Sequence, residues 1–162
     1  EADLYRSLND LQRDMSIGQQ VMGWATAQAN AGSPAYVWQF ARRQPYASGI
    51  RFADHDAATA GAYHTGDVPY WFQTLDSLNM FRTTRVWTAA DRALADQMSD
   101  MLVRFARGDA PAANWPQFDP AKPQLMWLDL ESRAMDWPKA ALVARLNPKP
   151  APRVSATRRA RD

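Results

Sequence analysis

The sequence of 162 residues predicts an α/β domain. Apolar residues recur at helical spacing near the start of the chain and again after Trp87. Two short apolar runs, residues 36–40 and 124–130, have the length and composition of strands. Helical periodicity alternating with short apolar runs is typical of mixed folds. With 46% hydrophobic and 22% charged residues, the chain is long and apolar enough to bury the core of one domain.

Two helices are predicted before the first strand, over residues 3–13 and from about Ser16 to Gly32. Their apolar positions lie at steps of three and four, on one face of each helix: Leu4, Leu8 and Leu11, then Met22, Ala25 and Ala29. The first helix is therefore expected to be short and amphipathic. Gly32 suits the end of the second helix because it has no Cβ atom.

A strand is predicted over residues 36–40, where Tyr36, Trp38 and Phe40 alternate with two further residues. Aromatic residues favour strands, and here both faces of the segment are largely apolar. We therefore expect a buried position in the sheet.

Residues 42–60 have no periodicity and are expected to form a loop, the kind of segment on which function is often found. His55 in this loop is flanked by Asp54 and Asp56. Structural metal sites need three or four converging ligands, so His55 is interpreted as a surface histidine rather than a ligand. No metal or cofactor is predicted for the chain.

The longest helix is predicted from Thr88 to Gly108. Thr88 is a plausible N-cap. With Asp91 at the third helical position, the unpaired backbone amides gain acceptors, and the negative charge is favoured by the helix dipole. Its apolar face is formed by Leu94, Met98, Met101, Leu102 and Phe105. The run QLMWLDL at 124–130 is then expected to form a short final strand, and a helix that starts at Pro138 is expected to follow.

Composition excludes several classes of function. The chain has no cysteine, which excludes disulfides and thiolate catalysis, and no apolar run approaches the roughly 18 residues that span a bilayer. Residues 138–162 carry seven Lys or Arg side chains against one Asp, in a chain of net charge +2. No aromatic residue follows Trp137 to stack on bases, so a solvated, partly disordered tail is favoured over nucleic-acid binding.

The segment GAYHTGDVPYWF, Gly61–Phe72, resembles the histidine loop of the type B carboxylesterase family, the relatives of the cholinesterases and the bacterial para-nitrobenzyl esterases. The family pattern is GAxHGxEIPYVFG, and Thr65 replaces its usual glycine. The stretch from Trp87 to Pro120 is similar to the family's terminal helix and its exit, and GWATAQANAG is similar to an earlier helix end. The resemblance covers roughly residues 14–130.

The resemblance implies the C-terminal portion of an α/β-hydrolase, with residues 1–136 in that domain and residues 137–162 forming a short helix and a basic tail. It implies that His64 is the catalytic acid and base, a role that suits imidazole because its pKa lies near neutrality. Asp67 matches the family's acidic position and is interpreted as an anchor of the loop, or alternatively as a local turn or helix-cap carboxylate. Tyr63 and Tyr70 are candidates for the substrate pocket wall, with ordinary packing as the alternative.

The rest of a serine esterase is missing from the sequence. None of the seven glycines begins a GxSxG turn, and no HGGG-like run supplies an oxyanion hole. Glu1 and Glu131 do not fit the family's glutamate, which precedes the histidine. We therefore expect an N-terminal partner segment that carries serine, glutamate and oxyanion hole, and expect this chain to be inactive alone.

The expected substrates are carboxylic esters of small to medium alcohols, with no cofactor, no nucleic acid and no membrane span. The sequence does not indicate the cellular compartment, since any export signal would lie on the missing segment. Secretion or a periplasmic location would fit. Two alternatives remain at this point: a non-catalytic helical interaction domain with a basic tail, and a catalytically dead esterase-like binding module.

Overall fold

The computed structural model describes residues 2–53 and 56–146. The elements of this part are α1 Ala2–Arg13, α2 Gln19–Asn30, β1 Trp38–Phe40, α3 Val68–Trp71, α4 Ala89–Ala106, β2 Gln124–Leu128, β3 Arg133–Asp136 and α5 Ala140–Leu146. A π turn, Asp14–Gly18, joins α1 to α2, and a 3-10 turn, Leu75–Asn79, follows α3. The predicted α/β class is confirmed.

The three strands form one mixed sheet in the order β1-β2-β3. β1 runs parallel to β2, with Trp38 opposite Met126, and β2 pairs antiparallel with β3, with Leu125 opposite Met135. Among the described residues, β1 has one neighbour only and lies at an edge of the sheet. The predicted buried position of this strand is therefore not seen in this part of the chain, and Trp38 is 45% exposed.

Side chains of β2 point alternately to two apolar clusters, one on each face of the sheet. Met126 and Leu128 pack with α3 and α4, and Leu125 packs with α2 and α5. The first cluster comprises Tyr70, Leu75, Leu94, Ala95, Met98, Met101, Trp115, Met126 and Leu128. The second comprises Met22, Ala25, Val37, Phe118, Leu125, Trp137 and Val143. Helices thus cover both faces of the sheet. They bury the apolar side chains of β2, which point alternately to opposite faces.

Sequence periodicity predicted α1, α2, α4, β1 and β2, and these elements are confirmed. Positive φ angles of 77° at Gly32 and 91° at Gly108 follow α2 and α4 and explain why glycine ends both helices. The apolar faces are less buried than expected: the leucines of α1 are exposed, and so are Leu102 and Phe105 of α4. Neither α3 nor β3 was predicted.

The start of α4 is fixed by a buried carboxylate. Thr88 and Asp91 form a reciprocal capping box, in which each side chain accepts a hydrogen bond from the other's backbone amide. The Asp91 carboxylate also accepts hydrogen bonds from Arg42 Nε at 2.7 Å and from Tyr70 Oη at 2.9 Å. Asp91 is completely buried. It therefore ties together the end of β1, the short helix α3 and the start of α4.

The charges at this junction agree with its geometry. Burial acts to raise the pKa of the Asp91 carboxyl, but hydrogen bonds from Arg42, Thr88 and Tyr70 hold that pKa below its usual range. The hydrogen bond to Asp91 raises the pKa of Arg42. Burial, followed by the hydrogen bond to Asp91, raises the pKa of Tyr70 far above its ordinary value. The pair is therefore ionised at neutral pH and the phenol is not.

Candidate functional site

His64 lies on a tight turn directly before α3, and its side chain is exposed. The Gly66 amide donates a hydrogen bond to the Tyr63 carbonyl at 2.9 Å, and the Val68 amide donates to the Thr65 carbonyl at 3.1 Å. Thr65 adopts a φ of 64°, in the left-handed region that glycine prefers. The substitution of threonine for the family's glycine therefore falls on a position where the backbone favours glycine.

A buried polar network holds this turn from the inside. Gln44 Nε2 donates to the Gly66 carbonyl at 3.1 Å, and Tyr63 Oη donates to Gln44 Oε1 at 3.0 Å. Arg85 Nε donates to the same Gln44 oxygen at 2.8 Å, and its Nη2 donates to Tyr63 Oη at 3.2 Å. Gln44 and Arg85 are 4% and 7% exposed. The residues on either side of His64 are thus bound to one buried amide.

The network is built on two chain segments that pair with each other. Residues 45–47 and 84–86 exchange backbone hydrogen bonds, from the Ala47 amide to the Thr84 carbonyl and from the Val86 amide to the Pro45 carbonyl. Among the described residues, the hydrogen bonds of the Arg85 guanidinium go to uncharged oxygens, including Thr84 Oγ1 at 2.9 Å. The guanidinium also lies 4.7 Å from the centre of the Tyr46 ring. Cation–π attraction therefore helps to hold this buried cation.

Asp67 lies at the N-terminal boundary of α3, but its side chain makes no capping hydrogen bond. Its Oδ2 instead accepts a hydrogen bond from the Trp71 indole nitrogen at 3.1 Å. The carboxylate therefore contacts α3 rather than His64. The role of Asp67 as an anchor of the loop stays a prediction.

The two tyrosines lie in different surroundings. Tyr63 is half-buried in the network behind the turn, whereas Tyr70 is completely buried in the core and donates its hydroxyl hydrogen to Asp91. The pocket role of Tyr63 and Tyr70 stays a prediction.

The described residues bring no carboxylate into hydrogen-bond contact with the His64 imidazole. Glu131 is exposed beyond the end of β2, and Glu1 and His55 lie outside the described residues, as does the basic tail from residue 147. No group of three or more potential metal-ligating side chains occurs within residues 2–53 and 56–146. In the same ranges, no helix has the length and apolar character needed to cross a membrane.

Sequence reasoning missed Gln44 and Arg85. Both belong to segments without helical or strand periodicity, and neither belongs to a recognisable motif. Their importance depends on the pairing of residues 45–47 with residues 84–86, which joins distant parts of the chain. The resemblance around His64 was the only signal in the region, and it covers the turn rather than the side chains behind it.

An apolar groove of about 260 Å³ lies beside β1, between the end of α3 and the second half of α4. Its lining is almost wholly aromatic or aliphatic: Tyr36, Trp38, Trp71, Phe72, Met101, Leu102, Phe105, Pro111 and Trp115. Three of these side chains, Trp38, Phe72 and Phe105, are 45–64% exposed.

Comparison with known proteins gives two results. The profile of the carboxylesterase family matches residues 1–144. No curated protein matches the chain significantly.

Among solved structures, an esterase from anaerobic Clostridium hathewayi that can hydrolyse aliphatic aromatic polyesters is 20% identical, with a TM-score of 0.56 over 75% of this chain and 22% of that one. A PNB esterase is 20% identical, with a TM-score of 0.58 over 77% of this chain and 24% of that one. A thermophilic PNB esterase is also 20% identical, with a TM-score of 0.54 over 70% and 22%.

The chain therefore spans about a fifth to a quarter of the length of the solved structures it resembles. At this level of identity, the likeness establishes the fold alone. That fold is the predicted one, a portion of an α/β-hydrolase with helices and a small part of the sheet.

Proposed function

The chain belongs to the carboxylesterase family, and we propose that it contributes the catalytic histidine, His64, to a serine carboxylesterase. The serine nucleophile, the glutamate and the oxyanion hole would lie on an N-terminal segment of the same enzyme. The substrates would be carboxylic esters of small to medium alcohols.

The chemistry assigned to His64 is proton transfer. Its imidazole would take the proton from the serine hydroxyl as that oxygen attacks the ester carbonyl, and would return the proton to the departing alcohol. A water molecule, activated by the same imidazole, would then hydrolyse the acyl-enzyme. The glutamate would accept a hydrogen bond from the second ring nitrogen and fix the tautomer.

The placement of His64 is the observation that carries the proposal. The side chain is exposed on a turn, while the Tyr63 side chain before it and the Gly66 carbonyl after it are both bound to the buried Gln44 amide. Among the described residues, no hydrogen bond occupies the imidazole. An imidazole held in this way is available to groups supplied by another segment.

The requirement for another segment is supported by the sequence and by the surface. The chain has no GxSxG turn, and no glutamate precedes His64 apart from Glu1. The edge of β1 and the apolar groove beside it are open in the described part of the chain. We therefore propose that this chain alone is inactive and that activity appears when it associates with the N-terminal segment.

The test is to reunite the chain with the N-terminal segment of the same enzyme and to measure hydrolysis of para-nitrophenyl acetate. The His64→Ala substitution is expected to lower kcat by about 10⁴- to 10⁶-fold, which is the scale of catalytic triad knockouts. The matched control is His55→Ala, since it removes the chain's other histidine. Hydrolysis at the same rate in the His64→Ala and wild-type proteins would refute the assignment.

A catalytically dead relative that binds a partner is the second candidate, and the serine position on the N-terminal segment decides between the two. In a dead relative, the combined protein would be folded but would not hydrolyse the ester. The further alternative of a helical interaction domain is disfavoured by the three-stranded sheet and by the family match.

A further inference from the structure

We propose that Gln44 is a positioning residue for the His64 imidazole and that Arg85 fixes the orientation of the Gln44 amide. This inference rests on the function proposed for His64. It concerns two buried side chains that do not touch the reacting atoms and would act through the backbone of the turn.

The hydrogen-bond donors around Gln44 determine which way its amide points. Arg85 Nε and Tyr63 Oη both direct their hydrogens at Gln44 Oε1, at 2.8 and 3.0 Å. Arg85 has donors only, so a rotated amide would place its NH₂ group against the guanidinium. The amide nitrogen is therefore left facing the Gly66 carbonyl, to which it donates at 3.1 Å.

These bonds define the turn from both ends. Tyr63 immediately precedes His64, and Gly66 follows it by two residues, so one amide bridges the turn. The imidazole itself is exposed. Its direction therefore depends on the turn that carries it, which Gln44 contacts at the Gly66 carbonyl and at the Tyr63 hydroxyl.

Removal of these bonds would leave buried polar atoms without partners. Gln44, Arg85 and Gly66 are all buried, and an unpaired buried donor or acceptor carries the full cost of its desolvation. The turn is expected to move to recover those partners. A catalytic group displaced by about 1 Å can lose roughly 100-fold in rate, so a small movement suffices.

The first test uses Gln44→Met, which keeps the length of the side chain and removes its donor and acceptor. In the combined two-segment esterase, we expect kcat for para-nitrophenyl acetate to fall by about 10- to 100-fold, while KM changes by less than about twofold. Gln44→Glu keeps the oxygen that faces Arg85 but replaces the donor to Gly66 with a charged oxygen that the Gly66 carbonyl repels, so it should lose at least as much kcat as Gln44→Met. Gln97→Met is the matched control, because Gln97 is exposed on α4.

An unchanged kcat in Gln44→Met, or a higher KM at unchanged kcat, would overturn the proposal. Failure of the wild-type combined protein to hydrolyse the ester would instead refute the proposed function. A second measurement that does not depend on hydrolysis distinguishes failure of this inference from failure of the proposed function.

The second test is amide hydrogen exchange, measured by mass spectrometry on the chain combined with the N-terminal segment. In Gln44→Met, peptides that cover residues 61–72 should exchange about tenfold faster, because the turn amides lose their fixed geometry. Peptides from the middle of α4, around Met98, should exchange at the wild-type rate. Equal acceleration in both regions would mean that Gln44 is merely structural, and no acceleration at residues 61–72 would mean that it does not hold the turn; either result overturns the proposal.

Discussion

At the residue scale, Gly66 is the most constrained position of the histidine turn. A Cβ atom on Gly66 would lie 2.9 Å from the Tyr63 carbonyl oxygen, which is backbone and cannot move away without changing the turn. The neighbouring Thr65 adopts a left-handed φ without a glycine. The glycine that this turn needs for reasons of space is therefore Gly66, two residues after His64.

We predict that Gly66→Ala destabilises the protein by about 1–3 kcal/mol, the usual range for a substitution that forces backbone strain. Urea unfolding of the combined protein measures the change. Gly18→Ala is the control, because the new Cβ would meet its nearest atom at 3.4 Å and the residue has helical angles. This control is expected to be neutral or to stabilise by up to about 1 kcal/mol. Equal unfolding free energies for Gly66→Ala and wild type would contradict the prediction.

His64 could be predicted from the sequence and Gln44 could not, and the reason is physical. The chemistry of His64 depends on a short stretch of neighbouring residues that has a recognisable order. Gln44 gains its role from Arg85, a contact between residues far apart in the chain. A lone glutamine after two arginines gives no local signal of that contact.

At the element scale, the junction between β1 and the start of α4 depends on the ionised state of Asp91. Its carboxylate accepts hydrogen bonds from Arg42, Thr88 and Tyr70, and its pKa in the folded protein is lower than in the unfolded chain. A carboxyl whose folded pKa is depressed stabilises the protein above its unfolded pKa, near 4, and this contribution is lost as the pH falls through the folded pKa.

We predict that Asp91→Asn lowers the free energy of unfolding by about 3–5 kcal/mol at pH 7, since it leaves the partly buried Arg42 without its counter-ion. The difference from wild type should shrink as the pH falls below about 4, because wild type then loses the same charge. Denaturant unfolding at a series of pH values tests this. Asp100→Asn, on the exposed face of α4, serves as the control. A difference that is constant from pH 7 to pH 2 would disprove the charge-based explanation.

The elements differ in how far local sequence determines them. The start of α4 was predictable because Thr88 and Asp91 are three residues apart and cap the helix by themselves. β3 was not, because Arg133 and Asp136 at its ends are charged and the segment lacks apolar alternation. It is a strand because β2 offers it an open edge, which is a tertiary effect. The four-residue α3 is too short to show periodicity.

At the scale of the whole molecule, the described part of the chain exposes many large apolar side chains. They lie on α1, on α2, beyond α3 and in the loop before α4: Leu4, Leu8, Trp24, Phe72, Met80 and Phe81, each between 55% and 96% exposed. Together with the groove beside β1, these side chains are the apolar surface that an associated segment could cover. Which apolar side chains would be exposed could not be predicted from the sequence, because exposure depends on how distant elements pack.

We predict that the isolated chain unfolds over a broad temperature range or aggregates, and that the N-terminal segment converts this behaviour into one sharp transition at higher temperature. Circular dichroism melts with simultaneous light scattering measure both effects. The N-terminal segment heated alone is the control. A monomeric, cooperative and reversible melt of the isolated chain would contradict the proposal that the chain needs a complement.

The parallel pairing of Trp38 with Met126 has a consequence for how the protein is made. β2 and β3 are neighbours in sequence and can pair quickly. β1 can pair with β2 only after β2, far along the chain, has been synthesised and has left the ribosome. During that interval the edge of β1 that will pair with β2 is unoccupied, which is a route to misassembly between nascent chains. Chaperone dependence during synthesis would then follow from topology, independently of the stability of the finished protein.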